Sequence, residues 1–322
     1  MSNADSDALY AGKKILVTGA TGLYGRNLIP RLLAKGANVR AVARRVPATG
    51  FGPDVEFVAG DLKEPSFARQ AVAGCDGLFH MAGTRGSIGI QIKRAAEMLH
   101  DNTLSCFNAL NAAREAGVAR VVYVSTVSVY PPGERYVEDQ AWSANPHPGN
   151  EFVAWSKRMA EKLIEAFEVQ YGAKNFAILR PVNTFGPWDD FNAQTALVVP
   201  ALIGRALGGE NPLSVWGDGT AVRDFLYVED AVDGLLAGYE RGLGKGPINL
   251  GSGRGYSVAE VVAAILRHGA PGTSVRWDVD KPAGEARKVA DTARAETILG
   301  FTPKIGLEEG IARTIAWYRA RD

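Results

Sequence analysis

Short apolar runs alternate with longer amphipathic segments through the first two-thirds of the chain. The amphipathic segments are helical in period, as in the one that carries Leu28, Ile29, Leu32 and Leu33. Strands and helices alternating at this spacing predict an α/β fold with a parallel, doubly wound sheet, the Rossmann arrangement. The runs with the length and composition of buried strands are residues 15–18, 38–43, 55–58, 78–83, 120–126 and 176–179.

The last third of the chain has a looser pattern, which predicts a smaller C-terminal α/β lobe for substrate. A helix is predicted at 195–207 and a short strand at 215–216, with terminal helices at 257–268 and 307–319. A helix at 228–241 and a strand at 248–250 return to the main sheet. The predicted division is a dinucleotide-binding domain at 1–182, rejoined by 228–255, and a substrate lobe at 183–227 and 256–322.

Two long helical segments stand out near the middle. The run NEFVAWSK opens the second, in which Trp155, Met159, Leu163 and Phe167 recur every four residues and share one stripe, with Gly172 as the cap. The first extends over 91–116, with an interruption expected at 100–102. Residues 1–12 are polar and acidic, and we expect a loose tail there.

Composition excludes several classes of function. The 322 residues carry a formal net charge of +1 and only 22% charged side chains, so nothing attracts the chain generally to nucleic acid or to an anionic membrane. No run of about 18 apolar residues predicts a membrane span. The two cysteines, Cys75 and Cys106, make a disulfide framework improbable and favour a cytoplasmic location. No metal site is predicted.

Gly19, Gly22 and Gly25 repeat every three residues between the first predicted strand and its helix. In this context the first glycine permits a sharp turn, the second lets a pyrophosphate approach the backbone, and the third brings helix and strand together. The helix N-terminus then faces the phosphates. The motif therefore predicts a dinucleotide site.

The residues after the second strand bear on which dinucleotide binds. An acidic residue about 20 positions beyond the glycines would bind the ribose hydroxyls of NAD, but here Ala43 is followed by Arg44 and Arg45. Two arginines suit a 2′-phosphate, so NADP is predicted, with NAD possible; the alternative is a solvated basic loop. Asp61, at the end of the third strand, is placed to meet the adenine. His80 ends the fourth strand, and a structural role is predicted for it rather than that of a base.

Longer runs extend the pattern from TGATGLYG to the closing LEEGIARTIAWY, among them STVSVYP, RPVNTFGPWDDF, VVPAL, VWGDGTAVRDFLYVEDA and KPAGEARKVAD. Together they resemble the extended short-chain dehydrogenase/reductase superfamily, in its NAD-dependent epimerase/dehydratase branch, and most closely the GDP-L-fucose synthases. The resemblance implies a nucleotide-sugar substrate and NADP(H). It also implies a homodimer built from a four-helix bundle of residues 95–116 and 152–171 of each subunit, although a core-only role for the apolar stripe is equally consistent.

The resemblance also assigns residues to the site. Thr126 would bind the substrate oxygen at the hydride-transfer carbon, and Lys157 would bind the nicotinamide ribose. Arg223 would pair with the substrate diphosphate, the alternative being a surface ion pair with Asp224 or Asp218. The remaining predicted substrate residues are Asn183, Asn192, Val199, Trp216 and, more weakly, Lys281. The predicted cofactor residues are Gly19, Thr21, Gly22, Leu23, Gly25, Arg44, Asp61, Leu62, Ala82, Lys157 and Pro181.

Three positions depart from the resembled family. Its proton-donating Tyr falls on Val153, its epimerisation Cys on Ser128, and its acid/base His on Asn192. None of these side chains titrates near neutral pH, although Ser128 keeps a hydroxyl near Thr126 and is retained as a catalytic candidate. The dehydratases' acidic pair is also missing, since Val127 and Ser128 follow Thr126.

Two hypotheses therefore remain open. The first is an NADP-dependent nucleotide-sugar epimerase or reductase with rearranged proton chemistry, in which Glu151, His147, Tyr136, Asp190 or a water supplies the acid. The second is a catalytically weak or inactive protein that binds the dinucleotide and the sugar nucleotide.

Overall fold

The computed structural model describes residues 7–47, 49–192, 194–281 and 285–321. The strands are β1 Lys14–Thr18, β2 Asn38–Ala43, β3 Val55–Ala59, β4 Gly77–His80, β5 Arg120–Val124, β6 Arg135–Tyr136, β7 Phe176–Pro181, β8 Asn183–Phe185, β9 Leu213–Trp216, β10 Val222–Tyr227, β11 Pro247–Leu250, β12 Gly255–Ser257, β13 Val275–Asp278 and β14 Arg287–Ala290. The α-helices are α1 Leu23–Ala34, α2 Pro65–Val72, α3 Ile88–Lys93, α4 Ala95–Glu115, α5 Glu151–Tyr171, α6 Val198–Leu207, α7 Val228–Arg241, α8 Val258–Gly269 and α9 Leu307–Ala320.

The main sheet has seven parallel strands in the order β11-β7-β5-β4-β1-β2-β3. The order reverses between β1 and β4, which is where a doubly wound sheet leaves a crevice for a ligand at the carboxyl ends of its strands. The predicted fold class is therefore confirmed, and the reversal places the expected site above β1 and β4.

Helices cover both faces of this sheet. Residues of α1 and α7 form one core with it, through Leu28, Leu32 and Leu235. On the other face α2, α4 and α5 form a second core, with Cys106 and Ile164 among its members. Burial on both faces explains why the strands read as nearly continuous apolar runs.

A second group of strands lies at the carboxyl edge of the main sheet. It consists of a sheet ordered β12-β10-β14-β6, with β8 also paired to β10, and a separate β13-β9 pair. Helices α6, α8 and α9 pack on it around a third core. The residues involved come largely from the predicted substrate lobe, but the proposed domain boundaries remain a prediction.

Several expected boundaries are corrected by the structure. Helix α4 continues through residues 100–102, and the break lies earlier, at Arg94 between α3 and α4. Helix α6 begins at Val198 rather than at residue 195, which lies in a turn. Helix α5 ends at Tyr171, and Gly172 caps it with a φ of 67°, as predicted.

The loose tail predicted for residues 1–12 is wrong for the part that the structure describes. Tyr10 is fully buried, and its hydroxyl donates to Glu240 Oε1 at 3.0 Å. An aromatic ring that completes a core outweighs the polar residues around it. Residues 1–6 lie outside the described residues.

The apolar stripe predicted on α5 is divided between core and surface. Phe167 is buried, whereas Met159 is 44% exposed, and the core side of the helix also carries Ala160 and Ile164. None of the helices in the described ranges combines the length and apolar character needed to cross a bilayer.

Candidate active site

A cavity of about 260 Å³ opens at the carboxyl ends of β1, β2, β3 and β4. Its walls are the turns that leave these four strands, so residues distant in sequence meet there. Most of the predicted cofactor residues line it. Those that do are Gly19, Thr21, Gly22, Leu23, Arg44, Asp61, Leu62 and Ala82; Gly25, Lys157 and Pro181 lie outside its lining.

The glycine turn after β1 is shaped by close backbone contacts. Gly19 has a φ of 67°, and a Cβ there would lie 2.9 Å from the backbone nitrogen of Ala82. A Cβ on Gly25 would lie 2.5 Å from the backbone of Ala20, so this glycine sets the approach of α1 to β1. Gly22 is the N-cap of α1 without a side-chain cap, which leaves the first helical N–H groups to bind an anion.

The far end of the cavity carries two cationic and two carboxylate side chains, Arg44 and Lys63 with Asp61 and Asp101. Arg44 is exposed and lines the wall beside Lys63, whose Nζ lies 3.1 Å from a carboxylate oxygen of Asp101. Asp61 accepts a hydrogen bond from the backbone of Lys63 at 3.0 Å and faces the same space.

His80 supports the turn after β4 and is not placed to act as a base. Thr18 Oγ1 accepts from the backbone nitrogens of Met81 and Ala82 at 3.1 and 3.2 Å, so its own proton goes to His80 Nδ1 at 3.0 Å. Burial, followed by the charge of Lys157, lowers the pKa of His80 to about 3. A neutral imidazole with this bonding holds the turn that forms the cavity wall.

Lys157 lies outside the cavity lining but next to the part of the wall formed by Gly83. Its ammonium donates to the carbonyl oxygen of Val124 at 2.8 Å and lies 3.8 Å from the point where a Cβ on Gly83 would stand. Thr126 follows β5 in extended conformation, and its Oγ1 accepts from the backbone nitrogen of Ser128 at 3.1 Å. Lys157, in the second turn of α5, thus bonds to the last residue of β5, two positions before Thr126.

A buried polar network supports this part of α5. Arg180 forms a bidentate pair with Glu161, at 3.0 and 2.7 Å, and Ser125 Oγ donates to the same carboxylate at 2.5 Å. Arg180 also donates to the hydroxyl of Tyr130 at 2.9 Å, and that hydroxyl donates to Asn249 Oδ1 at 2.7 Å. Residues before and after Thr126 are therefore fixed to the ends of β7 and β11.

A second cationic group lies on one face of the small sheet. Arg223 is paired in register with Lys288 on β14 and with Tyr256 on β12, so the three side chains share a face. Glu285 is ion-paired with Lys288, and it accepts from the hydroxyl of Tyr136 at 2.9 Å. Burial lowers the pKa of both Arg223 and Lys288, and the carboxylate of Glu285 opposes that shift in each.

Segment 125–136 joins the two groups of side chains. It begins at Ser125 and Thr126 above the main sheet and ends at Tyr136 beside Glu285. Asp224, next to Arg223, accepts instead from the backbone of Ser252 and Gly253 at 2.9 and 3.1 Å. Asp218 accepts from the backbone nitrogen of Thr220. The hydrogen bonds observed for both aspartates are therefore to groups other than Arg223, their partner in the alternative ion pair.

The other predicted substrate residues lie at separate places in the structure. Asn183 donates to the carbonyl oxygen of Asp224 at 3.1 Å, next to Arg223. Trp216 is 55% exposed at the end of β9, whereas Val199 is 2% exposed within the third core, a position that gives no support to a role in lining a cleft. The exposed residues Asn192 and Lys281 stand in turns. Pro181 is buried at the end of β7, and residues 282–284 of the KPAGEARKVAD run lie outside the described residues.

Comparison with known proteins agrees with this geometry. The family model described as the NAD-dependent epimerase/dehydratase family matches residues 15–251. The chain belongs to that family.

Relatives in this epimerase/dehydratase family span nearly the whole chain. The dTDP-4-dehydro-6-deoxy-D-allose reductase of a Streptomyces species is 30% identical, over 96% of this chain and 97% of that one. The GDP-L-fucose synthase of Sinorhizobium fredii is also 30% identical, over 95% of each. Among solved structures, the UDP-glucose 4-epimerase of Thermus thermophilus in complex with NAD has a TM-score of 0.82 and 27% identity, over 96% of this chain and 100% of that one.

This member of the epimerase/dehydratase family has no phenol at the fourth position before Lys157. Val153 is half-buried in the first turn of α5, and its carbonyl oxygen accepts from Ser156 Oγ at 2.7 Å. Three of the four side chains suggested as substitutes have other contacts. Tyr136 donates to Glu285, His147 Nδ1 accepts from Gly149 at 3.0 Å, and Asp190 accepts from Thr195 at 2.5 Å.

Several residues at the site escaped prediction from the sequence. Lys288 and Glu285 belong to the second cationic group, while Tyr24 and Arg85 line the cofactor cavity. Strand pairing would have revealed Lys288, because it faces Arg223 only once β14 is placed beside β10. Arg85 pairs with the buried Asp189, a contact across 104 residues that no local pattern encodes.

Proposed function

We propose that this protein is an NADP(H)-dependent oxidoreductase or epimerase that acts on a GDP- or UDP-linked sugar, with non-standard proton chemistry. The observation that carries the proposal is the connection between two groups of side chains by segment 125–136. Lys157 lies beside the cavity wall at Gly83 and bonds to Val124, two residues before Thr126, whereas Arg223 and Lys288 lie at the other end of the segment, with Glu285 and Tyr136. In a nucleotide sugar the diphosphate joins the sugar to the nucleoside, so the sugar would lie toward Lys157 and Thr126 and the diphosphate toward Arg223 and Lys288.

The residues present fit a dinucleotide. A Cβ on Gly22 would meet only the carbonyl oxygen of Gly19, at 3.4 Å, so the turn leaves room for phosphates at the uncapped start of α1. A bound nicotinamide dinucleotide would supply hydride transfer to or from the substrate carbon. Lys157 would hold the ribose hydroxyls at the nicotinamide end, beside the wall formed by the turn that Thr18 and His80 hold.

The substrate end is bound by charge. The guanidinium of Arg223 and the ammonium of Lys288 pair with diphosphate oxygens, in competition with the carboxylate of Glu285. Thr126 Oγ1 accepts from the backbone of Ser128, so its proton is available to the sugar oxygen at the carbon that exchanges hydride. Ser128 stands beside it as a second hydroxyl.

The missing phenol limits what these residues can do. A positioned acid or base contributes about 10² to 10⁴ in rate, so the loss of three such groups rules out unchanged family chemistry. A proton must come from the substrate, from water held by Lys157, or from a side chain that moves. We therefore do not propose GDP-fucose synthesis itself.

NADP is preferred to NAD because of Arg44. It lies at the end of the cavity where β2 offers no carboxylate to ribose hydroxyls, and Lys63 adds a second cation beside it. The neighbouring UDP-glucose 4-epimerase structure contains NAD, so the choice of cofactor is tested directly by measuring the affinity of each.

The decisive experiment is turnover. The purified protein is mixed with NADPH or NADH and a panel of GDP-, UDP- and dTDP-4-keto sugars, and loss of absorbance by the reduced nicotinamide is followed. Turnover with at least one nucleotide sugar is expected. Absence of turnover across the panel, with tight cofactor binding, would instead support the second candidate, a binding protein of weak or no activity.

Val153 is the observation that favours this second candidate, and Val153→Tyr separates the two. In an enzyme that has lost its acid, the new phenol four residues before Lys157 should raise turnover by about 10²-fold or more. In an enzyme whose chemistry is already different, the change should impair an existing activity.

A homodimer and a cytoplasmic location complete the proposal. Phe152 and Met159 are both more than two-fifths exposed on α5, the helix that would enter a four-helix bundle with α4. Light scattering on the purified protein measures the oligomeric state, and Met159→Glu should yield monomers if this face forms the interface.

A further inference from the structure

Arg26, near the start of α1, lies between two aromatic rings from different parts of the chain. Its guanidinium carbon stands 4.2 Å from the ring centre of Phe51 and 4.7 Å from that of Trp188. Phe51 lies in the loop between β2 and β3 that begins at Arg44, and Trp188 belongs to the GPWDDF segment after β8. One side chain thus joins the loop after β2 to a segment of the predicted substrate lobe.

The hydrogen bonds observed for the Arg26 guanidinium go to the loop between β2 and β3. Its guanidinium donates to the carbonyl oxygen of Thr49 at 2.5 Å, to Thr49 Oγ1 at 3.1 Å and to the carbonyl oxygen of Gly50 at 3.1 Å. Phe51 stacks in turn on Phe57 of β3. The loop carrying Arg44 is therefore fixed at its far end by Arg26, and the orientation of Arg26 is fixed by the ring of Trp188.

Trp188 is held in an unusual conformation. Its φ of 66° makes it the one non-glycine residue with a positive φ among those that the structure describes. Such a backbone persists only where the surroundings enforce it. Asn27 donates to the carbonyl oxygen of Pro187 at 3.0 Å, Asp189 pairs with Arg85, and the ring of Trp317 lies 5.3 Å from that of Trp188.

We infer that Arg26 and Trp188 are positioning residues for cofactor specificity, which set the loop bearing Arg44 so that it recognises the 2′-phosphate of NADP. This rests on the proposed function, since it assumes that Arg44 meets that phosphate. A planar guanidinium can stack on both rings and still donate in its own plane to Thr49 and Gly50, whereas an ammonium has no such plane. Trp188 acts through Arg26, although its indole is not part of the cavity lining.

The coupling between the substrate lobe and the phosphate loop has a consequence for binding. A ligand that orders the GPWDDF segment also orders the loop that carries Arg44. Substrate and NADPH should therefore each strengthen the binding of the other. NADH, which lacks the 2′-phosphate, should gain little from the same contact.

The test compares the affinities of NADPH and NADH, measured by nicotinamide fluorescence, in Trp188→Ala, Arg26→Met and two matched variants. Trp188→Ala and Arg26→Met should each weaken NADPH binding by about 2- to 4-fold, no more than the loss of Arg44 itself, and should leave NADH binding nearly unchanged. Trp188→Phe keeps a ring and should retain most of the preference. Arg31→Met is the control on the same helix, because Arg31 pairs with Asp233 rather than with the loop.

Hydrogen exchange of the loop in the free protein gives a readout that needs no cofactor. Amides of residues 49–51 should exchange faster in Trp188→Ala and Arg26→Met than in the wild type or in Arg31→Met. Unchanged exchange and an unchanged NADPH preference in Trp188→Ala would overturn the inference while leaving the proposed function intact. A wild-type protein that binds NADH as tightly as NADPH would overturn the NADP proposal and this inference with it.

Discussion

Two layers of polar residues meet at Lys157, and they differ in how completely they are built. Below it, Ser125, Glu161, Arg180, Tyr130 and Asn249 pair with one another in the interior. The three positions to which the family resemblance assigned proton transfer hold Val153, Ser128 and Asn192. The buried network beside the Lys157 part of α5 is therefore complete, whereas the proton-transferring groups expected from the resemblance are replaced.

This difference predicts separate roles for the two sets of residues: the buried network, which we call the lower layer, stabilises the fold, and the residues near the site, the upper layer, determine binding or rate. A buried ion pair cannot lose one partner without leaving an uncompensated charge, so its members must be retained together. A surface phenol has no such constraint. The comparison predicts that variants of the two layers will differ in kind, with the lower layer changing stability and the upper one changing binding or rate.

The largest expected effect comes from breaking the lower layer. Arg180→Met leaves the carboxylate of Glu161 buried without its bidentate partner, and the free energy of unfolding should fall by about 3–5 kcal/mol. Urea unfolding followed by circular dichroism measures it. Lys162→Met is the matched control, since its pair with Glu165 lies on the exposed side of the same helix and should cost less than about 0.5 kcal/mol. Equal effects of the two changes would refute the distinction between the layers.

Asp224 extends the comparison into the smaller lobe, where a framework carboxylate adjoins Arg223 of the site. Burial, only partly offset by hydrogen bonds from Ser252, Ala290 and Gly253, raises the pKa of Asp224 from 3.8 to about 6. The folded protein therefore binds this proton more tightly than the unfolded chain does. Its stabilising contribution is complete below about pH 4 and is lost as the pH rises through 6.

The stability of the wild type relative to Asp224→Asn should consequently fall by about 2–3 kcal/mol between pH 4 and pH 7. Urea titrations at several pH values measure this difference. A difference that is constant with pH, or that grows as the pH rises, would show that the carboxylate is not destabilised by its burial. Cofactor affinity at neutral pH should change little, because Asp224 lies outside the cavity lining.

The sequence was sufficient for the local part of this picture. The spacing of apolar residues and the positions of turn-forming residues predicted the bounds of β2 and α7. The glycine spacing located the turn where Gly19 approaches Ala82. These features depend on neighbours along the chain. The uninterrupted course of α4 and the burial of Tyr10 depend on packing against distant elements, which no window of sequence contains.

The site divides in the same way. Motifs placed Gly22, Arg44 and Asp61 around one cavity, because each follows a strand of the same parallel sheet. Lys288 was missed because its nearness to Arg223 comes from the pairing of β14 with β10. The VVPAL motif predicted that Val199 lines the substrate cleft. In the structure Val199 packs among the apolar residues of α6, α8 and α9.

Lys288→Met tests the contribution of the second cationic group to ligand binding. Removing one of two cations that share Glu285 should weaken the binding of GDP or UDP by about 10-fold, with a smaller effect on the monophosphates. Calorimetry on the free protein measures these affinities. Lys281→Met tests the weaker candidate from the sequence, and for this exposed residue a change below about 3-fold is expected. Lys288→Met should also lower the free energy of unfolding, because it leaves the largely buried Glu285 carboxylate without its ion-pair partner, whereas Lys281→Met should leave stability nearly unchanged.

Arg44→Ala has the smallest expected effect and bears on the choice of cofactor. Arg44 is exposed, so its pairing with a 2′-phosphate is screened by solvent, and NADPH binding should weaken by only about 3- to 5-fold. NADH binding should be unchanged, since that cofactor carries hydroxyls where NADP carries the phosphate. Arg45→Ala is the control, because Arg45 adjoins Arg44 but lies outside the cavity lining. If both variants weaken NADPH binding equally, the loop attracts the phosphate by its overall charge, whereas a loss confined to Arg44→Ala identifies a positioned contact.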